Sequence, residues 1–167
     1  MSRAFVKEDD QEEIPIISPR AHLPAGETNY VTPVGLQKLM DEREVLLIER
    51  STLDIADANE RRISLLVLNG KLQLLNDRIK SARPIDLGSQ DKESIRFGAQ
   101  IQLKVQGTGK LQTLQIVGVD EADISKGKIA FTAPLAKILN HKKVGEEATL
   151  KLENGNRVFE IIKIEYP

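Results

Sequence analysis

Six carboxylates in two short stretches are the side chains best suited by type and spacing to do chemistry: Asp54, Asp57 and Glu60, then Asp120, Glu121 and Asp123. Carboxylate oxygens are hard ligands for Mg²⁺ and can also move protons. Each stretch also has a plainer reading. The first sits where a helix should begin, and acids at a helix start are favoured by the local field. The second follows an apolar run, as a solvated loop after a strand would. Little else in the chain could join them. The two histidines, His22 and His141, are far apart in sequence, and His141 is flanked by Lys142 and Lys143. No histidine pair has metal spacing, and no serine–histidine–aspartate set can be assembled. Cysteine is absent, which excludes thiolate metal sites and disulfides. Glycine patterns for phosphate or dinucleotide binding are missing as well. Asp120-Glu121-Ala122-Asp123 spells a helicase motif, but such a motor also needs a phosphate loop and a far longer chain. The residues do not assemble an enzyme, a cofactor site or a metal site of the chain's own.

The first acidic stretch lies between two helical patterns. Thr32 can cap a helix and Pro33 suits its first position, where a missing N–H costs nothing. Val31 and Leu36 are spaced to staple that start. Leu36, Leu39, Met40, Leu46, Leu47 and Leu53 recur at helical spacing. A heptad seam follows at Leu65, Leu68, Leu72, Leu75, Ile79 and Ala82, and Pro84 should end that helix at Arg83. Two narrow apolar seams adjacent in sequence predict an antiparallel helical hairpin over 31–84, a short coiled coil. Its bend should fall near Asp57-Ala58-Asn59-Glu60, giving arms of about 23 residues and ~35 Å. A pair this slender has little core, so it must lean on something or project its tip.

The second stretch belongs to a region of different period. From 95 to 167 apolar residues alternate, as in Phe97, Ala99, Ile101, Leu103 and Val105, which reads as half-buried strand. Asn154-Gly155 is a hairpin signal, and Pro134 to Leu139 reads as a short helix. The fold class is therefore α+β, a helical hairpin followed by an antiparallel β domain, with a polar linker over 85–94. Residues 1–30 combine a run of acids with Pro15, Pro19, Pro24 and Gly26, the composition of a disordered tail. The alternative is that Ile14, Ile16 and Ile17 dock on the body or on a partner. Net charge is −1, which gives no bulk drive toward duplex DNA. Without a signal peptide or a membrane-length apolar run, the default location is the cytoplasm.

Several short strings, in order, resemble the GreA/GreB family of bacterial transcription elongation factors. They are Phe97-Gly98-Ala99, Ile116-Val117-Gly118 running into Asp120-Glu121-Ala122-Asp123, Ile129, Pro134-Leu135-Ala136, Val144-Gly145, and the ending from Ile161 to Tyr166. Thr32-Pro33-x-Gly35-Leu36 and Ala82-Arg83-Pro84-Ile85-Asp86 extend the likeness into the hairpin. The opening Met1 to Val6, with Asn29 to Pro33, resembles a tailed Gre-like subgroup. The resemblance implies a C-terminal domain like FK506-binding proteins that grips the rim of the RNA polymerase secondary channel while the hairpin enters it. It makes Asp120, Glu121, Ala122, Asp123 and Pro134 the polymerase-binding positions. The protein would act as a monomer on polymerase core within the elongation complex.

In the family, acids at the hairpin tip help hold a Mg²⁺ with which polymerase cleaves backtracked RNA. Here the family's tip string Gly-Asp-x-x-Glu-Asn-Ala-Glu-Tyr is replaced by Ser51 to Asn59, with Asp54 and Asp57 as scattered acids. The hairpin is also shorter than the family's by about one heptad per arm, or ~10 Å of reach. A ligand must lie within ~2.1 Å of Mg²⁺. The expectation is a secondary-channel factor that changes pausing or competes with cleavage factors. Cleavage stimulation by Asp54 and Asp57, sharing polymerase Mg²⁺ through tip carboxylates, is the runner-up. An isomerase or chaperone and a plain interaction module are the readings from other classes.

Overall fold

The structure, a computed structural model, describes residues 14–167. The acids at Glu8 to Glu13 and the opening Met1 to Val6 lie outside the described residues. Helix α1 spans Pro33–Ser51 and α2 spans Ala58–Ser81. Thr32 caps α1, its side chain accepting from the Gly35 amide, with Pro33 in the first turn. Leu39 and Leu46 of α1 meet Leu68, Leu72 and Leu75 of α2 in a narrow buried seam, with Val31 and Leu36 packed at its base. Arg50 donates to Asn69 near the far end while Asn29 donates to the Arg78 carbonyl near the base. The helices therefore run antiparallel.

The bend differs from the sequence expectation. It occupies residues 52–57, and Asn59 and Glu60 fall in the first turn of α2. The cause is Asp57, whose side chain accepts from the Glu60 amide and so starts the helix earlier. The arms are consequently unequal at 19 and 24 residues, ~28 Å and ~36 Å long.

The C-terminal domain is a five-stranded sheet in the order β5-β4-β3-β7-β6. Its strands are β3 (Gln100–Val105), β4 (Leu111–Val117), β5 (Lys128–Ala130), β6 (Glu147–Leu152) and β7 (Gly155–Glu165). Pairing is antiparallel except at one edge, where β5 runs parallel to β4. This corrects the expectation of a wholly antiparallel domain. The residues between β4 and β5 form a crossover that contains the second acidic stretch and turns back at Gly127, a left-handed position with φ of 69°. Helix α3 (Pro134–Leu139) closes the core against Ile101, Leu103, Phe159 and Ile161.

The ending Ile161-Ile162-Lys163-Ile164 reads as largely buried strand, yet only part of it faces the core. The β3–β7 register steps from Gln102↔Lys163 to Leu103↔Ile161, leaving Ile162 as the extra residue of a bulge. A bulge reverses side-chain parity. Phe159 and Ile161 point inward before it, and Ile164 and Tyr166 pack inward after it.

Two short strands join the bodies. β1 (Tyr30–Val31) and β2 (Arg83–Pro84) pair in parallel across the hairpin base, Tyr30 opposite Arg83 and Val31 opposite Pro84. Tyr30 also meets Phe97 and Phe131, with ring centroids 5.8 and 5.6 Å away. The first pair is tilted and the second edge-on, and such packing fixes orientation as well as burying area.

Residues 14–30 correct a further expectation. Their composition reads as a disordered tail, but in the structure residues 14–29 run without regular secondary structure, with Ile17 to Leu23 alongside α2. Ile17 sits on Gly70, where an added Cβ would lie 1.9 Å from the Ile17 Cδ1 atom. Arg20 and Asn29 bond to the helices. Ile14 and Ile16 stay exposed. Proline and glycine preclude regular structure here without precluding an extended chain from packing.

Candidate docking site

The crossover after β4 carries four of the five expected contact positions, and the fold splits them. Asp120 and Glu121 turn inward, their side chains 7% and 4% exposed. Ala122 is exposed and Asp123 half-exposed, while Pro134 is exposed at the start of α3.

Asp120 lies between two arginines from different elements. Its Oδ1 accepts from Arg20 Nε at 2.9 Å, and its Oδ2 is 3.3 Å from Arg78 Nε. The second contact is coulombic, because Oδ2 has no aligned hydrogen bond. Arg20 also donates to both oxygens of Glu42 on α1, at 2.8 and 3.1 Å. Those bonds, more than the neighbouring Asp120, raise the Arg20 pKa against the opposing effect of burial. Arg78 in turn donates to the Ala21 carbonyl. One carboxylate thus ties together the N-terminal segment, both helices and the β domain.

Glu121 faces the start of α1. Its Oε2 accepts from Thr32 Oγ1 at 2.5 Å, and Oε1 is 3.4 Å from Lys128 Nζ. Thr32 Oγ1 accepts at the same time from the Gly35 amide. The free amides and partial positive charge of a helix start suit a carboxylate. Gly35 supplies the room, since a Cβ there would stand 2.5 Å from Glu121 Oε2. The string Thr32-Pro33-x-Gly35 therefore has a joint cause: a cap, a first-turn proline and a clearance. Gly118 makes a comparable approach, with a Cβ position 2.6 Å from the Tyr30 carbonyl oxygen.

Asp123 caps the short 3₁₀ turn Ile124–Lys126, accepting from the Ser125 hydroxyl and amide. The Ser125 hydroxyl is the main reason its pKa lies below the usual carboxylate value. This turn pushes Ile124 outward to 87% exposure. Beside it an apolar groove of about 610 Å³ runs past Leu114, Ile129, Pro134, Leu135, Leu150 and Leu152.

At the hairpin tip Asp54, Asp57 and Glu60 are all exposed. Asp57 is occupied with the Glu60 amide, and Arg61 and Arg62 follow at once, bonding to the Ile55 carbonyl and the Asn59 side chain. Among the described residues no three histidines or carboxylates gather into a metal-holding group.

Sequence reasoning missed Arg20, Arg78 and Ile124. The glycines in the first turn of α1 and in the middle of α2 mark instead where Glu121 and Ile17 pack, because helix interiors disfavour glycine unless something packs on it.

The β domain with its crossover and groove defines the class. Residues 90–166 match the family described as transcription elongation factor, GreA/GreB, C-term. The chain is 37% identical over 99 residues to GreA of Hyphomonas neptunium, covering 59% of this chain and 63% of that one. It is 29% identical over 154 residues to GreB of Neisseria meningitidis, covering 83% and 94%. The aligned part thus spans less than two thirds of that GreA relative. A solved GreA/GreB factor from Nitrosomonas europaea is similar at a TM-score of 0.42 and 15% identity, covering 82% of this chain and 98% of that one. Residues 90–166 are thus a C-terminal domain of the GreA/GreB type. No helix among the described residues is long and apolar enough to cross a membrane.

Proposed function

We propose that the chain is a transcription elongation factor that docks on RNA polymerase at the secondary-channel rim and modulates elongation without chemistry of its own. The observation that carries this reading is the division of the acidic crossover in a GreA/GreB-type domain. Asp120 and Glu121 hold the hairpin in place, while Ala122 and Asp123 face outward and Ile124 and Pro134 line an apolar groove beside them. An exposed apolar side chain rimmed by polar groups is the usual composition of a protein-docking surface. The contact set of the resemblance is accordingly divided: Ala122, Asp123 and Pro134 meet polymerase, joined by Ile124, and Asp120 and Glu121 act through the hairpin's aim.

The tip supports modulation rather than cleavage. Its acids are spread over a turn, one is engaged in capping, and two arginines adjoin them. Mg²⁺ held by polymerase would need several convergent oxygens at ~2.1 Å. An isomerase reading is disfavoured by the groove, which no aromatic side chain lines. Tyr30, Phe97 and Phe131 are committed to the junction and Phe159 to the core.

The test pairs binding with activity. The chain should co-migrate with core polymerase on a sizing column at micromolar concentration, and Ile124→Glu with Asp123→Arg should weaken binding about tenfold or more. Added to a backtracked complex with Mg²⁺, it should yield no shortened transcript and should slow cleavage by a conventional factor. Separate migration would sink the docking reading. Shortened transcripts that vanish in Asp54→Asn with Asp57→Asn would replace modulation with cleavage stimulation.

A further inference from the structure

A lever held only at its base swings easily, and the hairpin is such a lever. Its longer arm reaches ~36 Å, so a tilt of ~10° at the base moves the tip by ~6 Å. The paired strands β1 and β2 and the Tyr30 ring attach it at one end alone. The segment 17–23 adds a second line of attachment further out. Ile17 engages α2 at Gly70, twelve residues before Ala82 and hence ~18 Å up the helix. Arg20 then reaches from Glu42 on α1 across to Asp120 on the β domain.

The joint under this segment is not fully satisfied. Among the described residues the buried side-chain atoms without a hydrogen-bond partner are Asn29 Oδ1, Arg78 Nη1 and Asp120 Oδ2. All three lie where the segment, α2 and the crossover converge. Unpaired buried polar atoms favour opening to water, and a buried ion pair adds less stability than its contacts suggest. The joint is therefore closed by the segment packed over it more than by its own bonds.

We infer that residues 17–23 are a releasable stay, which fixes the angle of the hairpin to the docking domain and frees it when lifted. Arg20 and Arg78 are positioning residues in this device, and Gly70 is its seat. The functional consequence rests on the polymerase reading above, whereas the mechanical one does not. With the stay in place the tip is aimed before docking. When the stay is lifted, the same domain docks with an unaimed tip.

The absence of native cysteine makes the angle directly measurable. Spin labels at Ala56→Cys on the tip and Thr108→Cys on the β3–β4 turn report the distance across the whole full-length chain. The parent should give one narrow distribution. Arg20→Ala leaves Arg78 to face Asp120, and Ile17→Asp unseats the segment without touching the joint. Each should broaden the distribution by about twofold or more. Far-ultraviolet circular dichroism of each variant checks that both bodies remain folded. Distributions that superimpose on the parent in both folded variants would overturn the stay. In the functional arm, Ile17→Asp should bind core polymerase within about twofold of the parent yet lose most of its effect on elongation, about fivefold. An unchanged effect would overturn the aiming role. If the parent itself fails to bind polymerase, the proposed function falls and the distance result stands alone.

Discussion

Asp120 and Glu121 lie in a junction where arginines, a lysine and a helix start surround them, whereas Asp54 and Glu60 stand in solvent. The same residue types thus do opposite work. In the crossover, burial makes each carboxylate depend on its partners, so its charge is a structural element. At the tip, water screens the charges and leaves them free for whatever the hairpin meets. A cluster of acids in a sequence therefore says little until the fold decides which of them solvent can reach.

The sharpest way to break this contrast is to remove one charge from each side. Asp120→Ala leaves Arg20 and Arg78 facing each other in a half-buried junction and should cost about 3 kcal/mol in denaturant unfolding. Asp54→Asn should change it by less than ~0.5 kcal/mol. Equal effects would dissolve the distinction. Next in size, Thr32→Ala removes both the α1 cap and the donor to Glu121, with an expected loss of about 2 kcal/mol. Asp57→Ala, which removes a cap at an exposed helix start, should lose only about 1 kcal/mol.

The smallest effect sharpens the comparison within the crossover itself. Bonding to Ser125 lowers the Asp123 pKa, so the folded turn favours the charged carboxylate. Its contribution is present above the unfolded carboxylate value of ~4 and is lost as pH falls through the lower folded value. The Ser125 amide resonance should titrate in that acid window and stop doing so in Asp123→Asn.

Most of the architecture was legible because it rests on periodicity and punctuation. Thr32-Pro33 marked one helix start, the heptad seam ending at Ala82 marked the second helix, and Asn154-Gly155 marked a hairpin. The bend was misplaced by a few residues because Asp57 serves equally well as a turn residue and as a cap, and pattern alone does not choose between them. The parallel pairing of β5 was hidden for a different reason. A three-residue edge strand carries too few side chains to announce its direction, and the crossover that sets it is polar. The site was legible as a list and illegible as an arrangement. Nothing in the order Asp120-Glu121-Ala122-Asp123 tells which members point inward, because for Asp120 that depends on Arg20 and Arg78, which lie 100 and 42 residues upstream.

The two strands that carry the chain into and out of the hairpin lie side by side, Tyr30 against Arg83 and Val31 against Pro84. Thr32, Glu42, Gly70 and Arg78 tie the lower part of the hairpin to the rest of the chain, so the length free to change is that of the part beyond Glu42 and Gly70. Adding or excising a matched heptad in each arm would shift the tip by ~10 Å and leave the platform beneath it unaltered. Reach, in this architecture, is a dial that evolution or an engineer can turn without rebuilding the base.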